Sequence, residues 1–351
     1  MFFLNKKDIV GVDIGSHSIK LVQLRREKSG WHLVNLGMAQ LPPETIVDNT
    51  IMDSGAVVEC LRNLAESQGL KTKNVASAVS GNSVIIRKIK MPTMTEVEAE
   101  AAIEWEAEQY IPFEIAEVNL DFQILGPDSQ DPSNMDVVLV AAKKDFVNEY
   151  VAVFDEAGFS PLIMDIDCFA LENAYQANYD QDEEVVALVN VGASSMNINI
   201  LKNGTSVFTR DIQIGGNTFN QEIQKKLGLT GLEAEKVKLG ASLPDVDSAD
   251  IDNVLKETMD HLSQEIQRSL DFYSATSSDD RIQRVYLSGG VAKTAGCVES
   301  LQQRLGVDVE LLDPFRQIHV DEKHFDMEFI HAVSPFFALG VGLATRRLGD
   351  K

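Results

Sequence analysis

Residues 9–24 read Ile9-Val10-Gly11-Val12-Asp13-Ile14-Gly15-Ser16-His17-Ser18-Ile19-Lys20-Leu21-Val22-Gln23-Leu24. A β-branched run ends on an acid, a glycine–serine turn follows, and a second apolar-alternating run carries a lysine. The pattern predicts a β-hairpin whose tip presents backbone N–H groups, hydroxyls and a cation. Those are the groups a phosphate needs, with Asp13 placed to hold a hydrated Mg²⁺. Taken alone, the segment is equally well an ordinary hairpin with a polar tip.

Two further turns change the balance. Val189-Asn190-Val191-Gly192-Ala193-Ser194-Ser195 repeats the strand–glycine–hydroxyl layout. An acid at position 190 would orient a metal-bound or attacking water, but asparagine is neutral and cannot act as a base. Leu287-Ser288-Gly289-Gly290-Val291-Ala292-Lys293 runs a strand into a glycine pair, leaving a flat backbone surface on which a purine can lie. Each turn has a bland reading of its own, the third as a common strand-to-helix turn. In this order they describe the walls of a nucleotide cleft.

Punctuation and period divide the rest. The hairpin, a strand over 31–40, a helix over 55–67 with Gly69 as its C-cap and a strand over 74–79 form a β-β-β-α-β unit. Residues 83–166 then read strand-helix-strand-strand-helix-strand, an α+β insertion. Its first helix starts at Thr95, with Glu98 completing a capping box. The apolar face of that helix is read as Val97, Ala101, Ile103 and Ala107, and the glutamates from Glu96 to Glu108 as a solvated face rather than a docking face. After a helix over 167–179, the acidic stretch 180–184 marks the boundary between halves. The second half repeats the three-strand opening, with Asn203-Gly204 as a hairpin turn, and adds helices over 218–227, 230–239 and 251–274. These patterns place a first domain at 1–180, with a core of 8–82 and 167–180 around the insertion 83–166. A second domain follows at 181–351, with a small subdomain at 218–275.

Composition sets limits. The 351 residues are 44% hydrophobic, enough for two cores, and no run approaches the roughly 18 consecutive apolar residues of a membrane span. In Met1-Phe2-Phe3-Leu4-Asn5-Lys6-Lys7 the charges follow the apolar residues, unlike a signal peptide, so a cytosolic protein is expected. The net charge of −23, from 31 Lys+Arg against 54 Asp+Glu, excludes nucleic acid as a general partner and disfavours anionic lipid. It permits a basic protein segment, such as the cytoplasmic tail of a membrane protein. Cys60, Cys168 and Cys297 suggest neither a disulfide framework nor a zinc site and are read as small buried hydrophobes. The histidines at 32, 261, 319, 324 and 331 form no ligand spacing, and His17 is read as a solvated hairpin tip.

The order of the three turns resembles the actin/Hsp70/sugar-kinase ATPase superfamily. Within it, Gly11 to Leu24, Ala107-Glu-Gln-Tyr-Ile-Pro-Phe113, Ile214-Gly-Gly-Asn-Thr-Phe-Asn220, Ala234-Glu-Lys-Val-Lys238 and Ser269-Leu-Asp-Phe-Tyr273 are similar to the PilM family of actin-like type IV pilus assembly proteins, over about residues 8–345. The resemblance implies an α/β fold, an actin-like two-domain ATPase fold of duplicated RNase H-like domains with an FtsA-like inserted α+β subdomain at 83–166. It implies ATP and Mg²⁺ as ligands, with Asp13 facing Mg²⁺ through water. Gly15, Ser16, Ser18 and Lys20 would contact phosphate, with Asn190, Gly192, Ala193 and Ser194 opposite. Glu235 and Lys238 would lie near ribose and base, and Gly289 and Gly290 would form the adenosine turn. Asn190 stands where an acid is usual, so the expectation is nucleotide binding with weak or absent hydrolysis. The implied function is a cytoplasmic scaffold without direct membrane insertion, held peripherally at the inner membrane. Its implied partners are the N-terminal tail of PilN, which enters a groove beside the inserted subdomain, the pilus motor ATPases, and other copies of the chain. The rival readings are an FtsA-like membrane tether and a catalytically active ATPase or kinase.

Overall fold

The hairpin at the N-terminus forms as its pattern requires. The computed structural model describes residues 8–128, 130–180, 184–244, 246–277 and 280–350. Met1–Lys7 and the centre of the acidic stretch 180–184 lie outside them. Strands β1 (Val10–Ile14) and β2 (Ser18–Glu27) pair antiparallel with Asp13 opposite Lys20, and β3 (Gly30–Gln40) continues the meander. A short pair, β4 (Ile46–Val47) and β5 (Thr50–Ile51), leads into helix α1 (Ser54–Ser67), and β6 (Asn74–Val79) returns parallel to β1. The α1 helix is capped by Asp53, whose carboxylate accepts from Ala56 N at 3.0 Å, and buries Val57, Val58, Leu61, Leu64 and Ala65 on one stripe.

Next come β7 (Val84–Pro92), α2 (Glu96–Ala107), β8 (Val118–Pro127) and β9 (Asn134–Lys143), in a three-stranded antiparallel sheet of order β7-β9-β8. The capping box of α2 is present: Glu98 Oε2 accepts from Thr95 N at 2.8 Å, and Thr95 Oγ1 accepts from Glu98 N. The buried face of α2 differs from the expected one. Ala99, Ile103 and Ala107 face the sheet at an i, i+4 spacing, while Val97 is 77% and Trp105 73% exposed. Small alanines let the helix lie close to the sheet, and Ile103 fills the gap they leave.

The insertion also ends earlier than the pattern suggested. Helix α3 (Lys144–Ala157) buries Tyr150, Val153, Phe154 and Ala157 in the same core as α1, and β10 (Ser160–Ile166) pairs parallel with β6. Residues 144–166 thus complete the first sheet, whose order is β10-β6-β1-β2-β3. The α4 helix (Asp167–Asn178) follows directly.

The second half repeats this plan. Strands β11 (Val185–Val191), β12 (Met196–Lys202) and β13 (Thr205–Ile212) form a meander, joined by helices α5 (Gly216–Leu227), α6 (Gly231–Lys238) and α7 (Ser248–Thr276) to β14 (Arg284–Ser288), then α8 (Cys297–Leu305) and β15 (Asp308–Leu311). The sheet order β13-β12-β11-β14-β15 is the first order read from the other end: antiparallel meander on one side, parallel strands on the other. All of β11 is buried, as expected of a central strand covered on both faces. Cys168 and Cys297 are buried and Cys60 is partly so, all with free thiols.

The last part of the chain leaves the half to which the sequence reading assigned it. His319 exchanges backbone hydrogen bonds with Trp31 and Leu33 at the edge of β3. Phe315, Ile318, Ile330 and Phe337 pack on Val22, Leu24 and Leu33. Helices α9 (Met327–Val333) and α10 (Ala338–Thr345) lie there. Among the described residues, Met327–Thr345 is the one helical stretch long and apolar enough to cross a membrane (19 residues, mean hydropathy 1.5), and 61% of that apolar window is buried inside the fold. The apolar surface serves a core: α10 is wedged between β1 and α4. A Cβ on Gly342 would stand 1.7 Å from the carbonyl oxygen of Ala170 in α4, and one on Gly11 of β1 would stand 2.3 Å from that of Gly340. Backbone meets backbone with no room for a methyl group. Gly342→Ala is therefore expected to cost at least about 3 kcal/mol of unfolding free energy, because neither neighbour has a side chain that can turn away. Urea denaturation against wild type measures it.

Candidate functional site

The two meanders point their first turns at each other. In the first, Gly15 N donates to Ser18 O at 3.1 Å; in the second, Gly192 N donates to Ser195 O at 2.9 Å. The same local bond closes the same kind of turn in both halves. Ser194 Oγ donates to Ser16 Oγ across the gap at 2.8 Å, and Asn217 Nδ2 from the start of α5 donates to Ser194 Oγ at 3.1 Å. Between the turns lies a cleft of about 290 Å³. Its lining includes Asp13, Gly15, Ser16, Ser18, Lys20, Asn190, Gly192, Ala193, Ser194, Glu235, Lys238, Gly289 and Gly290, every residue singled out from the sequence.

The walls carry complementary chemistry. Lys20 Nζ lies 3.0 Å from Asp13 Oδ2, a pair set by their opposition in the hairpin. The main-chain N–H groups of Ser16, His17, Ala193 and Ser194 have no hydrogen-bond acceptor among the described residues. Four unpaired amides at two facing turns are the donor set of an anion cradle. On the α6 side, Glu235 Oε2 accepts from Lys238 Nζ at 2.6 Å and from Asn220 Nδ2 at 2.7 Å. Burial raises the Glu235 carboxyl, but these two hydrogen bonds, together with the charges of Lys238 and His17, outweigh it and hold it below the usual range. At the floor, Ser288 Oγ donates to Asn190 Oδ1 at 3.1 Å, so Asn190 braces two parallel strands. Gly289 has φ +86°, and a Cβ there would stand 2.3 Å from Val191 O; only glycine fits. Gly290 lies beside the Phe336 ring, which supplies an apolar face.

His17 is exposed at the hairpin tip, as read, and also lines the cleft. Partial burial holds its imidazole below its ordinary range, with Lys238 and Lys20 adding to the effect and Glu235 opposing it. Asp167, the first residue of α4, lines the cleft. Its carboxyl is pushed up to about 7, first by burial and then by the charge of Asp13. The available signal was an acid just past a strand in Met164-Asp165-Ile166-Asp167, the layout that flagged Asp13. Tyr150 and Asn49 also reach the cleft, linked by a 3.0 Å bond from the tyrosine hydroxyl to Asn49 O. Among the described residues no cluster of three or more metal-ligating side chains occurs, so a cation here would be held largely through water and ligand oxygens, as Mg²⁺ is.

A second cavity of about 340 Å³ opens between the three-stranded sheet and the edge of the first. Strands β8 and β9 line one side, and the end of β10 with Phe169 and Arg346 lines the other.

The family model described as type IV pilus assembly protein PilM matches residues 11–348. A chain of the PilM-PilN type IV pilus biogenesis complex superposes with a TM-score of 0.86 and 29% identity, covering 97% of this chain and 98% of that one. MreB 5 of Spiroplasma citri bound to AMPPNP superposes with a TM-score of 0.51 at 12% identity, over 94% of this chain and 98% of that one, a likeness of fold. The cell division protein FtsA of Bacillus subtilis (strain 168) is 24% identical over 280 residues, 73% of this chain. The chain spans 62% of the length of that curated relative. The fold is therefore the actin-like one, with two duplicated sheets and an FtsA-like inserted α+β unit.

The Asp167 carboxyl gives the cleft a pH signature. It titrates near 3.8 when unperturbed and near 7 in the fold. Between those values the folded protein keeps a proton that the unfolded chain has lost, so stability falls as pH rises through that window. In Asp167→Asn this term is gone. Its stability relative to wild type should rise by about 1–3 kcal/mol from pH 4 to pH 8. Urea titrations at the two pH values check it; a difference independent of pH contradicts it.

Proposed function

We propose a function from one premise: the chain belongs to the family of the type IV pilus assembly protein PilM. In this reading it is a cytoplasmic, nucleotide-binding scaffold of the pilus inner-membrane assembly platform. It takes the N-terminal tail of PilN into the groove beside the inserted sheet, stays at the membrane through that contact, and couples to the pilus motor. The observation that carries the reading is the whole-chain likeness to a chain of the PilM-PilN complex, extending over both the cleft and the groove.

For the cleft we propose ATP with Mg²⁺. Bound there, it would supply negative charge shared by both walls. Lys20 and the unpaired amides of Ser16, His17, Ala193 and Ser194 suit the phosphates, and Asp13 suits a hydrated cation. Glu235 and Lys238 suit the ribose side, and Gly289, Gly290 and Phe336 offer a flat face for adenine. The donors stand on both halves, and Ser16 and Ser194 link them by a direct hydrogen bond. A ligand gripped by both turns therefore favours the closed arrangement by its differential affinity. Strand β10 belongs to the first sheet and also walls the groove, so closure and tail binding share one element.

Calorimetry tests both halves of the reading. Wild type should bind Mg²⁺–ATP and a synthetic peptide of the PilN cytoplasmic tail. Asp13→Ala and Lys20→Ala should each lose at least about tenfold in ATP affinity while melting as cooperatively as wild type. Unchanged ATP affinity in both variants refutes the cleft assignment, and absence of peptide binding by wild type refutes the scaffold. A second reading, nucleotide turnover, is favoured by Asp167, a carboxylate in the cleft titrating near neutrality where Asn190 cannot act as a base. It requires phosphate release that persists in wild type and disappears in Asp167→Asn.

A further inference from the structure

The groove beside the inserted sheet contains a polar pair whose bonding is incomplete. Asp165 is 8% exposed and lines the groove from the end of β10. Its Oδ1 accepts from Ile166 N at 2.8 Å. Its Oδ2 lies 3.3 Å from Arg346 Nε, an ionic contact in which neither atom completes a hydrogen bond; both are buried without a hydrogen-bond partner. Buried polar atoms are nearly always satisfied, so one left over at the wall of a cavity takes a partner from solvent or from whatever fills the cavity. Burial pushes the Asp165 carboxyl up despite the neighbouring guanidinium, consistent with a carboxylate that Arg346 alone does not satisfy.

The surroundings define the occupant. Strands β8 and β10 are each the terminal strand of their sheets, and both run along the groove. Two unpaired strand edges flanking one slot suit an extended chain, which can bond through its own backbone. The slot surface from Val138, Val140, Val147 and Met164 is apolar, while Asn119 and Gln123 of β8 add amides. Of the charged groups, Asp121 and Asp165 outnumber Arg346, so an acidic segment is disfavoured.

We propose that Asp165, positioned by Arg346, is the polar anchor of this groove, and that its occupant is an extended, largely apolar peptide segment donating one buried N–H to Asp165 Oδ2. The proposal rests on the tail-binding reading above and adds to it a specificity-determining residue and the donor it selects. A peptide lacking a donor at that position would seal Oδ2 away from water without a hydrogen bond, which is how a single polar site discriminates among apolar sequences of similar shape.

The test uses the full chain and a fluorescein-labelled synthetic peptide of the PilN cytoplasmic tail, read by anisotropy. Val140→Trp fills the groove and is expected to abolish binding. Asp165→Asn keeps the shape and the bond to Ile166 N, and is expected to weaken binding about 10- to 100-fold at a temperature where it is still fully folded, although loss of the buried contact with Arg346 lowers its melting temperature. Single N-methylation or amide replacement along the peptide should find one position that costs wild type at least tenfold and costs Asp165→Asn less than twofold, a coupling that a purely structural aspartate would not produce. Binding of Asp165→Asn within twofold of wild type, or a peptide scan of wild type with no sensitive position, overturns the anchor while leaving the groove as the tail site. No binding by wild type, or full binding by Val140→Trp, overturns the tail-binding reading and the anchor with it.

Discussion

The rest of the molecule depends on one steric constraint, the backbone-to-backbone seating of α10 between α4 and β1. Gly342 against Ala170 and Gly11 against Gly340 leave no space for a methyl group, so the helix can occupy one depth only. The α4 helix in turn packs on strands of both sheets. Its depth fixes where the second meander stands relative to the first. The meeting of Ser16 with Ser194, and the cleft around it, follow from that distance. A softer contact, with side chains interposed, would allow the halves to settle at several separations and would blur the cradle formed by the two turns.

The cleft is built twice from one local device. A glycine amide bonded to a serine carbonyl closes each turn, leaving the intervening amides free to face the other half. The asymmetry lies in the side chains. Asp13 and Lys20 give the first wall a paired acid and base, while the second wall offers Asn190, tied to Ser288 and uncharged. Charge capable of moving a proton enters from a third direction, the first turn of α4, where Asp167 sits under the repulsion of Asp13. The donors suited to an anion and the carboxyl that titrates near neutrality thus stand on different elements.

What was legible in the sequence was what is decided locally. Hairpin tips, the Thr95–Glu98 box and the glycine turn at 289 depend on residues a few positions apart, and they formed as read. The duplication was legible because both meanders repeat the same alternation. The buried face of α2 was not, because helical period alone cannot choose between a face of alanines and one carrying Val97 and Trp105; the sheet beneath chose the smaller side chains. The extent of the inserted block was misjudged for a similar reason. Strand β10 has the composition of any half-buried strand, and its register with β6 is a long-range fact. Asp167 follows a strand as Asp13 ends one, a faint local signal, but Asp165, Asp167 and Arg346 acquire their character from burial between elements distant in the chain, which spacing does not carry.

The position of α10 also bears on how the chain is made. Strand β1 leaves the ribosome about 330 residues ahead of the helix that covers it, some tens of seconds at roughly 5–20 residues per second. Through that interval the second sheet can fold on its own local meander, while the first must wait with Ile9, Gly11 and Val22 uncovered on the side that α10 will fill. The half that emerges first is therefore the last to be finished. A nascent chain of this design has a long exposure to aggregation or to holding chaperones, and that cost is inherent in closing an N-terminal sheet with a C-terminal helix.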